Sequence, residues 1–274
     1  MKRAVLFLLT FLFWMPLSHA GSFRTAGERE TKKPHGSAAT DNTFAIELYR
    51  QLALSEGNLF FSPSSIETAL SMTMAGAKNR TQQQIADLLH LRQGIMRHHA
   101  DQAVFGRRLK TIRKKGSAEI VASNSIWPQA GYRLDRKWLD LLKKYYGTTV
   151  VSVDYVKETE NARLTINNRV ERDTKNRIRE LLKPGTLSPM TRLALVNGVY
   201  FKGTWQEAFD KKASAEKPFH SKPGGRAMKT TMMMQRTLAG YADLGSLQVL
   251  ELPYQGKELS MIIVLSAKDR KSVV

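Results

Sequence analysis

NLFFSPSSIETALSMTMAGAKNRTQQQ, residues 58–84, is the stretch whose reading decides the fold. Phe60 and Phe61 make a short apolar run that Ser62 and Pro63 bring to an end. Ser64 or Ser65 then suits a helix cap, because a serine hydroxyl can accept one of the orphan N–H groups of a first turn. Ile66, Ala69, Leu70 and Thr73 recur at helical spacing until Gly76 breaks the run. Thr81 caps a further helix with Ile85, Leu88 and Leu89 on its inner side.

Outward from there, the elements follow from period and punctuation. Upstream, Asp41 or Asn42 caps a helix in which Phe44, Leu48 and Leu52 recur every four residues. Downstream, residues 119–127 alternate as a strand, and residues 135–146 place Trp138, Leu141, Leu142 and Tyr145 on one helical face. Residues 148–153 read as a strand. Residues 159–182 read as a long helix with Ile166, Val170, Thr174 and Ile178 in one stripe, stopped by Pro184 and Gly185. A second decisive stretch, LVNGVYFKGTWQEAF at residues 195–209, opens with the apolar strand 193–201. Met232, Met233 and Met234 alternate within a strand, so either the outer two or the middle one packs inside. Residues 247–253 and 258–265 are two strands joined as a hairpin at Tyr254–Lys257. There is no internal repeat. Helices come first and strands dominate later, which predicts an α+β fold.

Composition sets the outer limits. A chain of 274 residues, 42% hydrophobic and 24% charged, can bury a sizeable core in one or two domains. Residues 1–20 have the three parts of a secretory signal: Lys2 and Arg3, an apolar run over 4–17, and small residues at Ser18 and Ala20. Cleavage is expected after Ala20. A membrane anchor fits less well, since the run is shorter than a bilayer span and Pro16 interrupts its end. Residues 21–40 are polar, with Phe23 the one large apolar side chain, and read as a disordered linker, so the folded part is expected over 41–274. Secretion without any cysteine leaves stability to the core, with no disulfides. Forty-three basic residues against 24 acidic give +19; loss of Lys2 and Arg3 would leave +17, 41 against 24. Such a field favours polyanions and acidic surfaces, although charge alone does not separate a partner from plain solubility.

Residues 58–84 resemble the first buried helix of the serpins, with its S-P-x-S-I opening and G-A-K-x-x-T close, and residues 195–209 resemble that family's L-V-N-A-x-Y-F-K-G-x-W-x-x-x-F. The likeness extends in family order through SNSIWPQAGYRL (123–134), INNRVERDTKNRIRELL (166–182), KPFHS (217–221), TTMMMQ (230–235) and LELPYQGKELSMIIVLS (250–266). The resemblance implies a serpin fold of three mixed β-sheets with surrounding helices. It also implies an inhibitor, not an enzyme, with a serine-type (or cysteine) endopeptidase as partner. The target cleaves an exposed loop, forms an acyl-enzyme and is trapped when the loop enters the sheet as a new strand. Asn58, Ser62, Ser65 and Asn197 match the family's shutter, the polar cluster beneath the centre of that sheet; Ser62 and Ser65 can equally be helix caps. Trp205 matches the tryptophan at the breach, where insertion begins; alone it would read as a core tryptophan.

Three departures accompany the likeness. Arg169 stands where the family has an aromatic residue on the helix that crosses the sheet, so it must snorkel or find a partner. Gly198 stands where the family has alanine or larger, which loosens a strand. SAKDRKSVV, residues 266–274, resembles nothing of the helix, hinge, reactive loop and buried strands that follow in a serpin. These 274 residues are therefore expected to be a serpin domain incomplete at its C-terminus, unable by themselves to act as bait and poorly able to fold.

Arg107, Arg108, Lys110, Arg113, Lys114 and Lys115 crowd nine positions, preceded by Arg92, Arg97, His98 and His99. On a helix, Arg107, Lys110 and Lys114 share a face and could grip a sulfated polysaccharide; a solvated basic face gives the same composition. Nucleic acid is not expected, for no aromatic residues interleave the charges. His98, His99 and Asp101 lack a third close ligand, so neither metal nor cofactor is expected. Phosphate loops, HExxH and nucleophile-elbow motifs are absent. Asn79-Arg80-Thr81 is a glycosylation sequon that also serves as a turn into a helix.

Overall fold

The computed structural model describes residues 37–266 apart from 56, 117 and 221–225, with side chains from residue 42 onward. The signal and most of the linker expected over 1–40 lie outside the described residues. Two compact units emerge. Among the described residues, one holds 37–115 and 119–202, the other 203–266 with 116 and 118.

The first unit is mostly helical: α1 (Ser37–Leu52), α2 (Pro63–Gly76), α3 (Asn79–Leu88), α4 (Ile95–Lys114), α5 (Arg136–Tyr146) and α6 (Thr159–Asp173). Helix α1 begins at Ser37, inside the stretch expected as linker, because Ala38 and Ala39 are strong helix formers ahead of Asp41. Its sheet runs β2 (Thr149–Val150), β1 (Ala118–Pro128), β3 (Leu193–Gly203), with β1 and β2 parallel. Alternation along the strands sends neighbours to opposite faces. Ile126, Leu193 and Leu195 pack with Met72 of α2 and with Trp138, Leu141, Leu142 and Tyr146 of α5. Trp127, Ala194 and Val196 turn the other way, onto Ala162, Ile166 and Val170 of α6 and onto Tyr155. The sheet is thus covered on both faces.

Local chemistry places the covering helices. Pro63 starts α2 behind the Ser62 cap. Asp135 caps α5 by accepting from the N–H groups of Lys137 and Trp138 at 2.7 and 3.2 Å, and Gly147 ends it in the left-handed region at φ 61°.

Helix α6 is shorter than the 159–182 that the apolar stripe predicts. It stops at Asp173, and Lys175, Asn176 and Glu180 take positive φ. The Thr174 hydroxyl bonds the Val170 carbonyl at 2.7 Å and accepts from the Ile178 N–H at 3.1 Å. Asn167 exchanges two 2.9 Å hydrogen bonds with the backbone of Leu182, so the segment folds back along the helix. Ile178 and Leu182 still reach the core by that route.

The second unit is built of strands: β4 (Ala215–Phe219) pairs with β5 (Met228–Met232), and β6 (Gly240–Asp243), β7 (Leu247–Pro253) and β8 (Ser260–Ser266) form an antiparallel meander. The β7–β8 hairpin keeps the expected turn, with Gly256 and Lys257 at positive φ. The triple methionine does not alternate as expected. Strand β5 ends at Met232, which is half-buried, and Met233 and Met234 are exposed beyond it. Among the described residues, three sheets, the first of them parallel at β1–β2 and the others antiparallel, and six α-helices make an α+β fold.

Candidate functional site

The capping turn of α2 lies against the sheet. The Ser62 hydroxyl accepts from the Ser65 N–H at 3.3 Å and sits 3.3 Å from the Ser64 hydroxyl. Capping by Ser62 leaves the Ser65 hydroxyl free to donate outward, to the Asn197 side-chain carbonyl on β3. The Asn197 amide in turn donates to Asn124 on β1. The Asn124 amide donates 3.0 Å to the carbonyl of Tyr146, the last residue of α5. One polar chain therefore runs from α2 across two paired strands to α5. Ser65, Asn197 and Asn124 each carry an amide or hydroxyl that can donate and accept, so they can change partners when strands move apart. Of the four residues matched to the shutter, Ser62, Ser65 and Asn197 meet here. Asn58 is solvent-exposed, two residues before Phe60.

Asn124 and Tyr146 were not singled out from the sequence, though a signal existed. Asn124 is two residues from Ile126, and Asn197 is two from Leu195, so period-two alternation puts both amides on the same sheet face as those core residues. A polar group on a buried face requires a partner, and each amide is the other's.

Arg169 has found its partner on α6 itself. Its Nε donates to Asp173 at 2.6 Å, and the Ser123 hydroxyl of β1 donates to the same carboxylate oxygen at 2.5 Å. Burial by itself would raise the Asp173 carboxyl, but hydrogen bonds from Ser123 and Arg169 and the charges of Arg169 and Arg172 outweigh it and hold the group below its ordinary range. Of the two courses open to Arg169, it takes the partner, and through Asp173 and Ser123 the pair makes a polar tie from α6 to β1. Gly198 leaves room for a methyl, which would meet the Thr174 methyl at 3.7 Å, an ordinary contact.

Trp205 belongs to the strand unit. It stacks on Tyr254 with ring centroids 4.6 Å apart and planes 10° apart, and meets Phe209 edge-on at 6.1 Å. Backbone bonds from Gln206 to Pro253 and from Gln255 to Thr204 clamp the two segments on either side. A cavity of about 100 Å³ beside it is lined by Trp205, Gln235, Leu252 and Pro253.

The basic cluster occupies the second half of α4. Arg107, Lys110, Arg113, Lys114 and Lys115 are exposed and Arg108 is half-buried, while Leu109 and Ile112 turn inward. Arg107, Lys110, Arg113 and Lys114 carry no ion pair among the described residues. His98 and His99, which the sequence places beside this cluster, are instead buried, and Arg97 pairs with Asp101 at 3.2 Å. Among the described residues no three His, Cys, Asp or Glu side chains converge on a metal site.

The family model described as "Serpin (serine protease inhibitor)" matches residues 39–273. Human Serpin B3 is 37% identical over 239 residues, covering 81% of this chain and 61% of that protein. Human leukocyte elastase inhibitor is 36% identical over 234 residues, 83% of this chain and 60% of its own length. The solved structure of emu (Dromaius novaehollandiae) ovalbumin superposes with a TM-score of 0.75 at 27% identity, covering 86% of this chain and 64% of that one. A cleaved form of Serpin 42Da gives 0.72 at 32% identity, covering 83% of this chain and 59% of that one. The chain thus spans about three fifths of the curated relatives it matches. With the sheet, the polar chain beneath it and these likenesses in agreement, the chain belongs to the serpin family.

Proposed function

We propose that the protein is a secreted inhibitor of serine-type endopeptidases that works by taking a strand into the sheet built by β1 and β3. The observation that carries this reading is the chain Ser65–Asn197–Asn124–Tyr146, whose members can trade hydrogen bonds as strands separate. A sheet that must admit a strand needs such a hinge, since an apolar contact in its place would be lost without replacement. The inhibitor is consumed as a substrate and supplies no catalytic group of its own. The test uses the protein isolated from its natural source, with its intact mass measured first. It is incubated with elastase-, trypsin- and chymotrypsin-like proteases and run on denaturing gels. A band at the summed mass supports the reading, and unmodified protease from all three overturns it. Residues 21–274 expressed alone are expected to give no such band.

A second reading rests on a separate observation, the unpaired cations of α4. Exposed Arg107, Lys110 and Lys114 lie at i, i+3 and i+7, spaced to follow a sulfated polysaccharide. Replacing these three by alanine should lower the salt needed to elute the chain from heparin clearly more than replacing three scattered basic residues. Equal shifts would assign the binding to diffuse charge.

A further inference from the structure

Between α2, α4 and α5 lies a buried polar cluster whose side chains neither reading uses. His99 is 1% exposed, and its Nδ1 sits 2.5 Å from the Tyr146 hydroxyl. The ring also packs on Tyr145, with centroids 6.1 Å apart, and on Tyr146 edge-on at 5.7 Å. His98 places Nε2 at 2.7 Å from the Ser71 hydroxyl and 3.9 Å from Glu67 Oε1. Ser71 donates its one hydroxyl proton to the Glu67 carbonyl at 2.7 Å, so its oxygen accepts from His98. Glu67 also accepts from Gln102 at 2.9 Å.

The two histidines differ in what faces them. His98 meets Glu67 from α2 and Asp101 on its own helix. His99 meets the phenols of Tyr145 and Tyr146 from α5 and the His98 ring; the Lys144 ammonium of α5 lies over Tyr145. A proton on His98 finds two carboxylates. A proton on His99 finds another imidazole and a phenol. Burial first, then the neighbouring His98, pull His99 down to about 4. Burial also lowers His98, against the pull of Asp101. Burial raises the Tyr146 phenol, which stays protonated and able to donate to His99 Nδ1.

Tyr146 joins this cluster to the amide chain. Its hydroxyl holds His99, and its carbonyl holds Asn124. We propose that His99 seated on Tyr146 is an acid-operated latch: neutral, it clips the first turns of α4 to α5; protonated, it releases them and loosens the Asn124 end of the amide chain. Protonation turns Nδ1 from acceptor to donor, so the Tyr146 hydroxyl must turn its proton away and accept instead, and a positive charge is set in a buried site beside the His98 ring. The sign follows from linkage. A histidine whose folded value lies below its ordinary one binds protons less well when docked. The docked state is therefore fully favoured near neutrality, weakens as pH falls from about 6.5, and loses no more below about 4. Across that window the ratio of docked to released α4 should fall by about 300-fold.

The test uses the full chain. Histidine ring-proton NMR titration should place His99 near 4. Hydrogen exchange, corrected for intrinsic rates, should show protection of residues 95–105 and 136–146 collapsing between neutral pH and about pH 4.5, with residues 159–173 keeping theirs. His99→Gln should remove most of that pH dependence, and His98→Gln less of it. His99 titrating near its ordinary value, equal loss in 159–173, or unchanged pH dependence in His99→Gln overturns the latch. Should His99→Gln fail to fold, the titration and exchange of the unaltered chain decide the matter by themselves.

Discussion

The helical unit and the strand unit are both built on hydrogen-bonded strands and differ sharply in burial. In the first, both faces of the sheet are covered, and Met72, Ile126, Trp127, Leu142, Tyr155 and Ile166 are sealed from solvent. In the second, the buried apolar residues between 203 and 266 are Leu252, Tyr254, Leu259 and Met261 among those described. Every residue of β6 is exposed, Leu238 completely, and Tyr241, Leu244 and Val264 largely. Hydrogen-bonded ladders make strands, but burial of apolar area supplies most of the stability. The comparison teaches that the two units should respond unequally to the same change.

The largest expected difference comes from truncating one side chain in each. Ile166→Ala empties a fully buried site between α6 and the sheet and should cost about 2–5 kcal/mol in urea unfolding. Val264→Ala removes an exposed side chain and should stay within about 0.5 kcal/mol. Equal losses would break the comparison.

How far this contrast was legible in the sequence depends on the element. The covered sheet was readable, because the 193–201 run and the stripe Ile166–Val170 each match one period throughout. The early end of α6 was not, since Thr174 and Ile178 continue the apolar stripe and only the side chains of Asn167 and Thr174 reveal the fold-back. Within the site, resemblance brought out Ser62, Ser65 and Asn197, which meet in the chain, and Asn58, which is solvent-exposed. Asn124 and Tyr146 went unremarked because a hydrogen-bond chain joins residues far apart in sequence, and period shows only the face. The burial of His98 and His99 was hidden by their basic neighbours. Their helix turns them inward, nine and eight residues before Arg107, the first cation of the cluster.

The next effect tests whether the helical unit depends on the amide chain. Asn197→Ala leaves the Ser65 hydroxyl and the Asn124 side-chain carbonyl without their partner. About 1–3 kcal/mol should be lost, and adding Ser65→Ala should restore part of it, a coupling a double-mutant cycle reads directly. Strict additivity would show that the links are independent.

Asp173→Asn probes the polar tie of α6 to β1 and should cost about 1–2 kcal/mol at neutral pH. The folded carboxyl lies below its ordinary range, so its contribution is present above about pH 4 and fades as pH falls through the lower folded value. The gap between the variant and the unaltered chain should therefore narrow in acid. A gap that widens in acid would remove Asp173 from the tie.

The smallest effect compares one strand glycine in each unit. Gly198 has an ordinary φ, and an added methyl would touch the Thr174 methyl at 3.7 Å, filling space without pushing anything. Gly198→Ala removes unfolded-chain freedom and buries a methyl, so it should raise stability by about 0.5–1 kcal/mol. Gly240, on exposed β6, would bring its methyl to 3.3 Å from the Glu251 Cβ and 3.1 Å from its carboxylate. The carboxylate can swing aside, but the Cβ is anchored to the paired strand β7, so the entropic gain is offset by crowding and little burial is added. Gly240→Ala should therefore change stability by no more than about 0.5 kcal/mol. A gain at Gly240 equal to that at Gly198 would mean that chain entropy alone sets both values, and that the packing contrast between the units has no bearing on substitutions this small.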